Sequence, residues 1–422
     1  MRHLFFFPRC PIIPRSFIRG GAGFTLVEVL VALVISLLGA LAIMQIYVGS
    51  EGSKRATGSL AEAQSGGVIA AYSIEREVQK AGMGFSNTAA LGCRLRSNLA
   101  SGFDDLFFQP VTIIPSGASQ SHASNLWRIP PGDAGSDMIA IASGNGAVMT
   151  EGGYLQPRTA DGDEVPLGAT SFPVAVRAKF GSDIAEAPGI VVGDYLLVAE
   201  VDKPCTLGRV QALAAESVTL NFPAADSYKF YGDPGSKDPM AFVFNLGQRP
   251  DITVYAVRNG VLTRCDYFVN DCSDSSKTED TTVWVPMAND AVALIAQYGF
   301  DTNLPPNGID LFCKSRVATG GNCPGTDSGL TAPGAHSTDH KERRCDWVRV
   351  PVIQMAVVTR SGQYEKDEIS PATIKLWPDS AIAPTTTGPV WTVPDRHYRY
   401  RVTLTTSVLR NVVWQGVWGA PC

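Results

Sequence analysis

The sequence predicts an α+β fold, in which one long N-terminal helix packs on an antiparallel β-sheet body with long loops. Three observations predict it. A 25-residue run, 24–48, has only Thr25, Glu28, Ser36 and Gln45 as polar residues. A helical stripe continues beyond it to about residue 81, and from about residue 85 the period changes from helical to alternating. Finally, 41 Gly and 28 Pro in 422 residues imply many turns.

The apolar run comes first. At 1.5 Å per residue, 25 helical residues span about 37 Å, enough to cross a bilayer. Arg2, Arg9, Arg15 and Arg19 all precede it, with no acid among the first 23 residues. This asymmetry keeps the N-terminus cytoplasmic and sends the remainder outward. Without that leader the net charge falls from −5 to −9. An acidic body without a basic stripe argues against nucleic acid as a direct partner.

The order of small and apolar residues is informative. A signal peptide places its small residues after the apolar stretch. Here "GGAG" comes before it, so cleavage between Gly23 and Phe24 would remove only residues 1–23 and leave the helix in place. Glu28 then sits at the fifth mature position, inside apolar surroundings where carboxylates are rare unless functional. "GFTLVE" resembles the processing motif of type IV prepilins. That resemblance implies a prepilin peptidase that cuts after Gly23 and methylates the new amine of Phe24. It also implies an assembly role for Glu28, opposite the N-terminal amine of a neighbouring subunit.

Residues 49–84 read as the extracytoplasmic half of the helix. Leu60, Gln64, Gly67, Ala71, Ile74, Val78 and Ala81 recur at steps of three and four. Glycines at 39, 49, 52, 58, 66 and 67 each weaken a helix by about 1 kcal/mol relative to Ala, so bends or local melting are expected after Gly39 or near Gly49. "IEREVQKAGMGF" resembles the end of the first helix in PilW-type minor pilins and in J-type pseudopilins of type II secretion. Gly82 and Gly84 suit a helix C-terminus.

Residues 85–422 read as a β-rich head. Residues 137–143, 194–201, 217–222 and 241–246 read as strands. "ITVYAVRNGVLTRCDYF" reads as a hairpin closed by Asn259-Gly260, a pair favoured in type I′ turns. Residues 347–360 read as one long strand in which Pro351 implies an edge or a bulge. In "HYRYRVTLTTSVLRN", Tyr398, Tyr400, Val402 and Leu404 share one face, and Arg399, Arg401, Thr403 and Thr405 the other. The blocks "GDYLLVAEVDKPCTLGRV", "MANDAVALIAQYGFDT", "VRVPVIQMAVVTRSGQYE" and "YRYRVTLTTSVLRN" resemble successive blocks of PilW-type minor pilins, in the same order.

Cysteine usage fits an oxidising compartment. Cys10 lies in the leader. Cys93, Cys205, Cys265, Cys272, Cys313, Cys323, Cys345 and Cys422 lie downstream, an even set with 105 pairings that sequence does not choose among. Cys265 with Cys272, and Cys313 with Cys323, are close enough to staple local loops.

No catalytic motif and no cofactor motif is present, so the chain is not read as an enzyme. His336, Asp339, His340 and Cys345 are spaced too loosely for a structural zinc site. Asp301, Asn303, Asn307 and Asp310 are interrupted by Leu304, Pro305 and Pro306, which favours a plain turn over a calcium loop. The resemblance implies a minor pilin that helps assemble or initiate a type IV pilus and remains near its tip. Adhesion and twitching motility would follow from that role. Implied partners are a prepilin peptidase, other minor pilins, the major pilin, a PilY-type tip adhesin and the inner membrane. A pseudopilin of type II secretion is the nearest alternative. A membrane-anchored extracytoplasmic enzyme is the alternative of another class.

Overall fold

A computed structural model of the chain describes residues 23–87, 90–97, 106–121, 127–146, 153–156, 171–177, 190–200, 205–214, 217–221, 241–301, 308–309, 311–313, 347, 350–377 and 390–415. The chain divides into two units, Met1–Ala56 and Thr57–Cys422.

Helix α1 runs from Leu26 to Lys80, 55 residues without interruption. The expected melting near Gly39 or Gly49 does not occur. A Cβ at Gly39, Gly49, Gly52 or Gly58 would meet nothing within 4 Å, so these residues face open space. Their cost is spread over a helix that gains one hydrogen bond for each residue added. Turns over residues 81–85 follow, with Gly82 and Gly84 at φ +77° and +83°.

The four-stranded sheet receives the second half of α1. Its order is β15 (Leu311–Cys313), β14 (Ala291–Phe300), β16 (Val352–Arg360), β19 (Tyr400–Val408), all antiparallel. Ala63, Gly67, Ala70, Ala71, Ile74 and Val78 are the buried face of the helix, and Ala81, just past its end, is buried as well. The predicted stripe holds from Gly67 onward, but Gln64 is exposed and Leu60 only half-buried. The row of β19 that meets the helix is the polar one. A Cβ at Gly67 would lie 2.9 Å from Thr403 Oγ1 and 3.3 Å from Thr359 Cγ2. Thr405 Oγ1 donates to Glu75 Oε2 at 2.9 Å. Thr and Gly let the helix axis approach the sheet closely. The opposite face of the sheet carries Ala293, Ile295, Ala356 and Val358. These form a second core with Leu376, Trp377, Trp391 and Val393, and Tyr400 and Val402 pack against it. That core includes residues of the small hairpin β17 (Thr373–Lys375) and β18 (Val390–Thr392), or residues beside it.

Pro351 corrects the expectation for 347–360. The strand starts at Val352, directly after the proline, and lies between β14 and β19, so it is neither an edge nor a bulge. Proline is tolerated there because it lies outside the ladder, where its carbonyl accepts from Leu409 N at 2.9 Å.

A five-stranded sheet packs beside the first, ordered β13 (Val285–Asn289), β12 (Val261–Asp266), β11 (Asp251–Arg258), β4 (Met138–Ser143), β3 (Val111–Ile114). The β11–β12 hairpin turns at Asn259 and Gly260, both with positive φ (52° and 72°), as a type I′ turn requires. Leu294 N donates to Ser136 Oγ at 3.0 Å, and Ala296 N to Asp137 Oδ2 at 3.2 Å, which links β14 to the start of β4.

The third assembly contains the strands read at 194–201, 217–222 and 241–246, but its closure was not legible in the sequence. Its strands follow the order β2 (Leu106–Phe108), β1 (Cys93–Ser97), β8 (Cys205–Ala214), β7 (Tyr195–Glu200), β10 (Ala241–Asn245), β5 (Gly153–Gln156), β6 (Ser171–Arg177), β9 (Ser217–Asn221). Strand β9 pairs back onto β8, so β8–β7–β10–β5–β6–β9 closes into a six-stranded antiparallel ring. The ring is an excursion between paired neighbours. The chain leaves β4 at Ser143 and returns at Asp251, and these two residues are register partners. Among the described strands the pairing is antiparallel with one exception, because β1 joins β8 in parallel.

A short helix α2 (Arg410–Gln415) closes the described chain. Asn411 Nδ2 donates to Lys80 O and Ala81 O at 3.1 and 3.0 Å, covering carbonyls that a helix end leaves unpaired. Asn411→Ala is expected to cost about 1–2 kcal/mol, measured as a lower denaturant midpoint of the full chain in detergent.

Candidate processing and assembly segment

The segment around Gly23 is organised by one local device. Thr25 precedes the first helical residue, and its Oγ1 accepts from Glu28 N at 3.2 Å. Thr25 O accepts from Val29 N, also at 3.2 Å. Thr-x-x-Glu is the capping-box pattern, with Thr at the N-cap and Glu at the third helical position. An acidic residue in the first turn also complements the positive end of the helix dipole, by about 0.3–1 kcal/mol. The cap is made by the Thr25 side chain on the main-chain N–H of Glu28, whose carboxylate lies in the first turn. The "TLVE" spacing was visible in the sequence, and the capping role could have been read from it.

Gly23 and Phe24 lie outside the helix and are open. Phe24 is 80% exposed, and a Cβ at Gly23 would meet nothing within 4 Å. Cleavage after Gly23 would place an amine on Phe24, four residues from Glu28 in sequence. Ser36, inside the apolar run, donates its hydroxyl to Leu33 O at 2.9 Å, which satisfies the group without water. An 18-residue window of α1 is apolar enough to cross a membrane, and none of it is buried.

The other sequence-derived positions are distributed through the head. Cys93 is bonded to Cys205, and Cys265 to Cys272. Cys313 ends β15. Cys323, Cys345 and Cys422 lie outside the described residues, as do His336, Asp339, His340, Asn303, Asn307 and Asp310. Asp301 is buried and accepts from Gly308 N at 2.8 Å. Among the described residues, no group of three His, Cys, Asp or Glu is placed to hold a metal. Arg258 is the notable ionisable group of the core. It donates to Pro130 O and Pro131 O at 2.8 and 3.0 Å and lies 4.2 Å over Trp284. Burial lowers its pKa to about 10.

Compared with known proteins, residues 18–44 match the profile of the prokaryotic N-terminal methylation motif. No curated protein and no solved structure matches the chain. The motif supports a type IV pilin-like or type II secretion pseudopilin-like protein. It implies processing by a prepilin peptidase and assembly with other pilins in a membrane system. The apolar first half of α1 is consistent with membrane anchoring.

Proposed function

We propose that the protein is a PilW-type minor pilin that takes part in assembling or initiating a type IV pilus. One observation carries the reading: the methylation motif at 18–44 coincides with an open Gly23–Phe24 bond and a Thr25-capped helix carrying Glu28 in its first turn. On this reading 1–23 is the cleaved leader and 24–48 the membrane-spanning half of the helix. Residues 49–84 are its extracytoplasmic half, and 85–422 the head. The head faces the periplasm before assembly and the cell surface afterwards. Partners are the peptidase, other minor pilins, the major pilin and a PilY-type tip adhesin, and the protein has no catalytic step of its own. Length favours a pilus over type II secretion, because J-type pseudopilins are shorter.

Deletion of the gene separates the two systems. Loss of surface pili with normal enzyme secretion supports the pilus reading, and intact piliation with lost secretion overturns it. Mass spectrometry of the mature chain tests the processing step, for which the reading requires a methylated Phe24 at the N-terminus. Glu28→Gln is expected to leave membrane insertion and protein level unchanged. Its incorporation into sheared pili, read by immunoblot, is expected to fall at least tenfold. Incorporation equal to wild type would remove the assembly role of Glu28.

A further inference from the structure

The described sheet edges are managed in different ways, and one is left open. Edge strands attract other chains unless they are short, bulged, proline-bearing or covered. Strand β13 has Pro286 and a register shift opposite Leu262 and Thr263. The outer groups of β3 are taken by one hydroxyl: Ile113 N donates to Tyr298 OH at 2.7 Å, and Tyr298 OH donates to Val111 O at 3.1 Å. Strands β2, β15, β17 and β18 have three residues each. The ring of six has no edge where β9 meets β8. Strand β19 alone is long, with nine residues, no proline and an unbroken register against β16.

Its outward groups follow from that register. Ser361 N donates to Arg399 O at 2.8 Å and Leu409 N to Pro351 O at 2.9 Å, one bond at each end of the ladder. Antiparallel pairs alternate, so Arg401, Thr403, Thr405 and Ser407 exchange bonds with β16. Tyr400, Val402, Leu404, Thr406 and Val408 then point both N–H and C=O away from the sheet. Leu404 and Val408 are 44% and 46% exposed beside this edge. On the other face, Val68 and Tyr72 are exposed on the flank of α1 that carries Glu75, the partner of Thr405.

Charge selects the occupant. Residues 396–415 contain four Arg and no acid, in a chain of net charge −5. Arg396 and Arg399 are paired with Glu368 and Glu365. Arg401 and Arg410, one near each end of the edge, are exposed and have no ion pair among the described residues. Two copies pairing antiparallel here would bring the Arg401 end of one to the Arg410 end of the other, like charge against like. We propose that β19 is a docking edge for an extended segment of a partner protein, apolar at alternate positions and acidic at its ends. Such a segment adds a fifth strand through main-chain hydrogen bonds. The proposal does not depend on the pilus reading.

The test uses the full chain in detergent micelles and the peptide Glu-Val-Thr-Val-Ser-Val-Thr-Val-Glu. Amide exchange is resolved at single residues by fragmentation mass spectrometry. The outward amides of Val402, Leu404, Thr406 and Val408 exchange within minutes alone and slow at least tenfold with peptide. The same peptide with Lys at both ends binds at least tenfold more weakly, and R401E/R410E reverses that preference. Thr406→Pro removes an outward donor but no bond to β16, and it abolishes the slowing. Equal binding of the two peptides, or no slowing, overturns the proposal. Outward amides that are already slow, in proportion to protein concentration, would assign the edge to a second copy and also overturn it.

Discussion

On the proposed minor-pilin reading, Gly23→Val is expected to leave the precursor uncut, with residues 1–23 still attached and no incorporation into pili. This is the largest functional effect expected of a single substitution, and the structure makes it clean to interpret. Nothing lies within 4 Å of a Cβ at Gly23, and the helix starts only at Leu26. Added methyl groups therefore meet open space, and Thr25 still caps the first turn at Glu28 N. Folding and insertion remain as in wild type, so a processing defect reports on recognition of the bond by the peptidase. The readout is the intact mass of the membrane-extracted chain, alongside an immunoblot of sheared pili. A Gly23→Val chain that still begins at Phe24 would refute the processing site.

The double substitution Cys93→Ser/Cys205→Ser is expected to produce the largest loss of stability. The cysteines are 112 residues apart, and on the chain-entropy account closing a loop that long contributes about 5 kcal/mol. Cys265 and Cys272 are only 7 apart, which gives about 2.5 kcal/mol on the same account. The long bridge also does what pairing alone does weakly. It ties the strand that follows α1 to the ring, where β1 and β8 share only three register pairs. Denaturant midpoints of the two double-serine variants, with unchanged slope, measure both terms. Equal losses would show that loop length does not set the contribution of these bridges.

Local chemistry was readable wherever neighbours in sequence are neighbours in space. Asn259-Gly260 specified its turn because only small or αL-tolerant residues accept positive φ at both positions. The strand readings at 137–143 and 241–246 agree with β4 and β10 to within a residue at each end. Ile74 and Val78 showed the buried face of α1 by their spacing. Pro351 was misread because a proline beside an apolar run signals a break in the ladder without saying which side of it the strand occupies. The Thr-rich row of β19 was also not readable as the helix-facing one. Alternation shows that two faces exist, and the less apolar one meets the helix here because Gly67 brings the helix against Thr359 and Thr403.

The sequence by itself determined the long N-terminal helix with its apolar first half, the methylation motif and the β character of the rest of the chain. These rest on periodicity, capping and short-range spacing, which act over at most a few turns of chain. Only the tertiary structure decided that β9 returns to β8, that Cys93 meets Cys205, and that β19 is left as the open edge. Each depends on contacts between segments tens to hundreds of residues apart. Such pairings are selected by the collective packing of the core, and no local signal encodes them.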